Sequence, residues 1–496
     1  MSSNLPVPTE LIKLRELNRR TPIVALPPEL LSEVFLECID RGAVSTFDPQ
    51  LSVSVVRRVR TSLASVCHQW RQVAQATKPL WAVTSFPHYV ITFDDEDDPY
   101  LIPSETYECF HHELELAGGA PLTLISQITL DEFDDPSLMV PLERDLCTAL
   151  SPVLSRCHRI IFDVPDEISI GIIDVVPEQL GNTKSLHIRA WGDEIEGSEE
   201  GDTIPKILDL SHANSIEDLY IDFSSQYDSP VPLITASPRL GQPRKLKHLA
   251  LLGRVEPSAA YNIISQALSL HSLAWTGSDS SPLFTIPPQQ MQMPFLRYLG
   301  LGQVGTVSLD SYLDAPGILY LVLKDSHEHV DPPPLPVPSR FRHIRSLSLE
   351  SVIYTCSPLL PPLVPEFPAL EVLILRGVMS VELASACNRA AKLRLLVATW
   401  PTNDPSKWIG AQHLLDQWSS RVDDQDTPPV SRGFCFVHHL NLPKGKRRLF
   451  TQRFPKKYPK IQIGLHPCHP FEHWRLEDWD EFFALVDANP SYLPPF

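Results

Sequence analysis

LRYLGL, Leu296 to Leu301, is the stretch whose reading decides the fold. Leucine stands at its first, fourth and sixth places. The second half alternates apolar and small residues, the period of a strand with one face buried. The same form recurs on both sides. It appears as Cys157/Ile160/Phe162, Ile216/Leu219/Ile221, Leu246/Leu249/Leu251, Leu270/Leu273/Trp275, Ile318/Leu321/Leu323, Ile344/Leu347/Leu349 and Leu370/Leu373/Leu375. Leu186/Ile188 and Leu393/Leu396 are less complete copies. The middle positions, 160, 186, 219, 249, 273, 299, 321, 347, 373 and 396, are separated by 22 to 33 residues.

Most of these steps match the period of about 20–29 residues found in leucine-rich repeats. One such unit cannot bury its own apolar edge, so neighbours stack. The expectation is a solenoid over 87–400, built on a curved parallel sheet. Residues between the leucines then face the concave side, among them Asp218, Tyr220, Asp222, Tyr298, Gly300, Tyr320, Lys324, Glu350 and Arg376. Such a mixed, aromatic-dotted surface suits protein recognition. No asparagine follows the middle leucine by five residues, so the repeats are irregular. Forty-nine prolines recur between the apolar segments as punctuation.

Downstream, the rhythm stops after Trp400. A helix is expected over Asp404–Ser420, extended chain over Val430–Leu442 and Tyr458–Leu465, and a last helix from Leu476 through Trp479, Phe482, Phe483 and Val486. Residues 401–496 read as an α+β cap on the last repeat.

Upstream, residues 1–20 read as a tail and 21–86 as a helical domain. In LPPELLSEVFLECI, Leu26–Ile39, apolar side chains at Leu30, Leu31, Val34, Phe35, Cys38 and Ile39 mark one helix face. Pro27 and Pro28 suit a first turn, and Glu29 lies at the positive end of the helix dipole. In VCHQWRQVAQATKPLW, Val66–Trp81, a second face runs through Leu63, Val66, Cys67, Trp70, Val73 and Ala74, and Leu80–Trp81 fold back as an apolar anchor. An insert, 40–61, separates the two helices. A domain this small is marginal alone, so its exposed apolar surface calls for a partner.

These residues resemble an F-box. The matching pieces are Leu26-Pro27-Pro28-Glu29-Leu30, Val34-Phe35, Val66-Cys67-His68-Gln69-Trp70 and Pro79-Leu80-Trp81. The pairing with irregular leucine-rich repeats is similar to the large F-box families of mushroom-forming fungi. The resemblance implies an all-α F-box ahead of an α/β solenoid. It also implies docking on a Skp-type adaptor and, through it, a cullin ubiquitin ligase, with the repeats holding an unknown target protein. Leu26, Pro27, Leu30, Leu31, Val34 and Phe35 are then the docking residues, with Val66, Trp70, Leu80 and Trp81 as partner contacts or core. The alternative is a stand-alone repeat scaffold that has lost adaptor binding.

Composition, 43% hydrophobic and 21% charged, fits an ordinary soluble globular protein. The net charge of −18 over 496 residues argues against a general nucleic-acid or membrane-surface binder. Nine scattered cysteines without framework spacing, no signal peptide and no long apolar run point to the cytoplasm or nucleus. Gly300, Gly302 and Gly305, with Asp325 beyond them, spell a dinucleotide fingerprint, but they fall within the repeat register and lack alternating strands and helices. His438, His439, His466, Cys468, His469 and His473 are too loosely spaced for a zinc set. Lys444–Lys460 holds eight basic residues and no acid, the pattern of an exposed loop first, and otherwise of a nuclear address, an RNA-contacting strip or an acidic-partner site. Cys67 reads as a small core residue. No cofactor, metal or catalytic set is expected.

Overall fold

A computed structural model describes residues 26–43, 49–85, 89–93, 99–103, 106–127, 150–165, 180–191, 204–223, 234–253, 255–276, 291–302, 313–324, 341–349, 360–376, 380–399, 409–421, 432–437, 454–459, 461–466 and 476–489. The chain divides into two compact units, Met1–Gln242 and Pro243–Phe496. Both are mixed α/β, and each carries parallel strands in sequence order.

The first unit opens with helices α1 (Pro28–Ala43), α2 (Pro49–Val66) and α3 (His68–Ala76). A single 3-10 turn over Lys78–Trp81 leads into β1 (Val83–Ser85). An antiparallel hairpin of β2 (Tyr89–Phe93) and β3 (Pro99–Pro103) follows, then α4 (Thr106–Ala117). Parallel strands continue with β4 (Leu122–Gln127), β5 (Cys157–Pro165), β6 (Ser185–Trp191) and β8 (Asp218–Phe223), in the order β1-β4-β5-β6-β8. A separate parallel pair joins β7 (Ile204–Leu210) to β9 (Ile234–Leu240). Register aligns Leu124, Ile160, Leu186 and Leu219, all buried, so one apolar row crosses four strands.

The front of the chain corrects one expectation. Much of the 40–61 insert is helical: α1 runs on to Ala43 and α2 begins at Pro49. The helix read as continuous through Val66, Cys67 and Trp70 is broken at Cys67. That residue is extended, with φ −159° and ψ 173°, and its sulfur accepts the Trp70 N–H at 3.5 Å as an N-cap. The break turns Val66 outward, whereas Trp70, Val73 and Ala74 stay inside. The reason is local: a cap satisfies one of the orphan N–H groups that every new helix start exposes.

The second unit strings together β10 (His248–Gly253), α5 (Pro257–Gln266), β11 (Ser272–Thr276), β12 (Met291–Gln292), β13 (Tyr298–Gly302), β14 (Leu313–Asp314), β15 (Tyr320–Lys324), β16 (Ser346–Leu349) and β17 (Val372–Arg376). It ends with α6 (Val381–Arg389), β18 (Leu395–Thr399), α7 (Ile409–Arg421), β19 (Arg432–Val437), β20 (Ile461–His466) and α8 (Leu476–Ala488). Apart from the short β12–β14 pair, every strand joins one parallel array, each beside the next in sequence. Leu249, Leu273, Leu299, Leu321, Leu347, Leu373 and Leu396 are register partners across it. Phe434 and Ile463 extend the same row.

The region after Trp400 therefore does more than cap an end. β19 and β20 prolong the array in the same direction, and their centres are aromatic or isoleucine, which a search for leucine spacing passes over. α8 does not close the last strand either. It lies on the face opposite the leucines, packed on β15, β17 and β18.

Candidate interaction surfaces

The front surface is built on a three-helix core. Leu31, Phe35, Ile39, Val56, Trp70, Val73, Ala74 and Leu80 are buried together. Phe35 and Trp70 meet with ring centroids 5.0 Å apart, and the Trp81 indole N–H donates to the Ala74 carbonyl at 2.7 Å. The expected docking residues thus separate into two groups. Leu31, Phe35, Trp70 and Leu80 are interior, and Trp81 is half-buried. Leu30 and Val34, one turn apart on the outer side of α1, are 47% and 39% exposed. Pro27 is also exposed and Leu26 half-buried. Val66, at the end of α2, is 52% exposed. The i, i+1, i+4, i+5 pattern covers two sides of a helix, and only the structure says which side faces inward.

An ion network fastens these helices to the strands of the same unit. Arg57 donates both Nε and Nη2 to Glu113 of α4, at 3.0 and 3.2 Å. Arg60, fully buried, lies 3.4 Å from Glu113 and donates to the Val83 carbonyl of β1 at 3.0 Å. The Thr84 hydroxyl donates to Glu113 at 2.6 Å. The guanidinium of Arg60 also lies 5.2 Å from the Trp81 ring centre. Burial lowers the Arg60 pKa, and the Glu113 charge opposes that shift. Nothing in the spacing of Arg57, Arg60 and Glu113 marked these residues, because an arginine on a helix ordinarily reads as solvated.

The second surface is the face of the rear array that does not carry the leucines. There α8 lays Leu476, Trp479, Phe482, Phe483 and Val486 on Tyr320, Val372, Ile374, Leu395 and Val397. Tyr320 stacks against Trp479 and Phe483 at 5.6 and 5.7 Å. Ion pairs flank this apolar seam. Arg297 reaches Asp480 with both terminal nitrogens at 2.8 Å, and the Tyr320 hydroxyl donates to the same carboxylate at 2.8 Å. Arg345 makes a two-point contact with Asp487 at 2.7 and 3.0 Å, bonds Glu371 at 2.7 Å, and sits 4.0 Å over the Phe483 ring. Burial and the Asp480 bond push the Tyr320 hydroxyl well above its ordinary pKa. Burial works against charge on Arg345, but the bonds to Asp487 and Glu371 outweigh it and raise the pKa.

Tyr320 was expected to face a target, and it is instead covered by the chain's own helix. Tyr298 also packs at the edge of this seam. The corresponding face of the first unit is more polar: Asp163, Arg189 and Asp222 are register partners, and the Tyr220 hydroxyl donates to Asp222 at 3.0 Å. Gly300 and Gly302 of the glycine motif lie within β13, where a Cβ at Gly300 would meet Ala274 at 3.5 Å. Gly305, Asp325, Glu350, most of Lys444–Lys460, and all of the histidine group but His466 fall outside the described residues.

Among the described residues, no three His, Cys, Asp or Glu side chains gather as a metal site requires. No described helix is long and apolar enough to cross a membrane. No family model and no curated protein matches the chain.

Proposed function

We propose that this chain is a substrate-recognition subunit of a cullin-type ubiquitin ligase. Residues 26–81 would dock a Skp-type adaptor as F-box modules do, and the strand arrays, read as irregular leucine-rich repeats, would hold the target. The protein would perform no bond chemistry. It would raise local concentration and set geometry, bringing a target lysine to a ubiquitin-loaded enzyme. The supporting observation is the outer side of α1. Leu30 and Val34 remain about half exposed on a helix whose inner side is locked by Leu31 and Phe35. Full burial of such a side chain stabilises an interface by about 1.5–3 kcal/mol.

The test is co-expression with a Skp-type adaptor. The unaltered chain is expected to elute with it as a 1:1 complex. Leu30→Asp with Val34→Asp should abolish that complex while leaving the thermal transition unchanged, because neither side chain is core. A parent chain that elutes alone would instead favour a stand-alone scaffold.

A further inference from the structure

The starts of the rear strands make a rim of their own. The residue leading into each strand donates its N–H to the carbonyl of the leading residue before it: Leu319 to Arg297, Arg345 to Leu319, Glu371 to Arg345 and Arg394 to Glu371. Two places upstream of these leads, Phe295, Gly317, His343, Ala369 and Lys392 therefore follow one another along the rim, one for each of β13, β15, β16, β17 and β18.

A cleft of about 560 Å³ opens in this rim, lined in part by Gly317, His343, Ala369 and Lys392. Gly317 and Ala369 make room for it, since neither carries a long side chain. Gly317 also packs against the turn that carries Phe295, where a Cβ would press on the Leu296 carbonyl at 3.3 Å. Phe295 is 58% exposed, and Leu268, in the turn before β11, is 48% exposed. They are the most exposed large apolar side chains described in the second unit. One end of the cleft is thus greasy.

The other end is cationic. The acids that line the cleft, Glu371 and Asp487, are both bonded to Arg345, and Arg394 lies 3.8 Å from Glu371. Arg342 and Lys392 are exposed and meet no carboxylate among the described residues; Arg342 donates to the His343 ring at 3.2 Å. Asp and Glu outnumber Lys and Arg by 60 to 42 in this chain, so a shortage of acids does not explain these two cations.

We propose that this rim holds an extended segment of the target, with a large apolar side chain at Leu268 and Phe295 and carboxylates at Arg342 and Lys392. Spacing sets the pattern. β13 and β18 are four strand steps apart, about 19 Å, which about six residues of extended chain span at about 3.3 Å each. Arg342, leading into β16, falls about halfway. A helix of that length, about 10 Å across, fills about 1,500 Å³, more than the cleft offers. The apolar contact supplies most of the affinity, and the exposed cations select the partner, because such pairs add little energy but reject like charge. The proposal rests on the strand array being the part that holds a target, and does not involve the adaptor contact on α1.

The test uses the full chain and two labelled synthetic peptides, each with one Phe at the centre of a Ser and Thr background. The first carries Glu at the third and sixth places to either side, so that chain direction does not matter; the second has Lys at those places. Fluorescence anisotropy should show the first bound and the second not. Phe295→Ala should weaken the first peptide about tenfold or more, and Lys392→Glu, which reverses a charge, about threefold to tenfold. Both side chains are exposed, so the thermal transition should not move. Equal binding of the two peptides, no binding of either, or binding indifferent to either substitution would overturn the proposal. Adaptor co-purification is read on the same preparations. An adaptor complex with no peptide bound defeats only this proposal, and a chain that binds the first peptide but no adaptor defeats only the ligase reading.

Discussion

α1 and α8 are both amphipathic helices, and the two ends of the chain use them differently. α8 buries its whole aromatic stripe against β15, β17 and β18 and turns acids toward arginines at the rim. α1 buries Leu31, Phe35 and Ile39 and still leaves Leu30 and Val34 outside. An apolar stripe that is fully covered is architecture. A helix that leaves Leu30 and Val34 partly exposed still carries apolar surface that its own unit does not cover. The face of the rear array that looked most suited to a target, around Tyr320, is already occupied from within.

The comparison is most directly broken at the aromatic seam. Phe483→Ala should cost about 3–5 kcal/mol, the usual range for a large buried aromatic, whereas Leu30→Ala should stay within about 1 kcal/mol, since surface changes do little. Urea titration followed by Trp fluorescence measures both; equal losses would erase the distinction between the helices. Glu113→Ala tests the front anchor in the same range, about 3–5 kcal/mol, because it leaves the buried Arg60 without its compensating charge. Next in size, Asp480→Ala removes the partner of Arg297 and of the Tyr320 hydroxyl, and should cost about 1–3 kcal/mol.

The smallest effect is expected at Asp416 on α7. Its carboxylate accepts from Lys457 at 2.9 Å and from the Tyr458 hydroxyl at 2.7 Å. Burial is the largest single influence and raises its pKa, but the bonds from Lys457 and Tyr458, with the nearby Lys457 charge, together outweigh it and leave the value lowered. A carboxyl lowered on folding adds stability above its unfolded value, and that stability is lost as pH falls through the folded one. The group is half exposed, so the gain should be only a few tenths of a kcal/mol. Asp416→Asn should flatten the stability curve slightly below about pH 4 and change nothing at pH 7 beyond that small loss.

The strand register was legible because it is periodic. Leu273, Leu299 and Leu321 recur at near-equal steps and become partners across the sheet, since stacking repeats the same burial in each unit. The helical nature of Leu476–Ala488 was legible for a similar reason. Its destination was not, because the Arg297–Asp480 bond spans 183 residues and no local pattern carries such a contact. α2 was missed for a third reason. Its Val55, Val56 and Val59 are β-branched, and Arg57 and Arg60 interrupt the apolar face. The buried pairing with Glu113 that makes those arginines acceptable lies on another helix.

The Glu113 junction has a mechanical consequence. Arg57 and Arg60 of α2, the strand residues Val83 and Thr84, and α4 share one carboxylate and one carbonyl. Bonds that converge on one carboxylate restrict how far α2, β1 and α4 can shift against one another. A subunit gripped by α1 would be carried at a set angle to the first strands, like a tool on a fixed bracket, and its reach would be governed by the lengths of the parts rather than by a swinging tether.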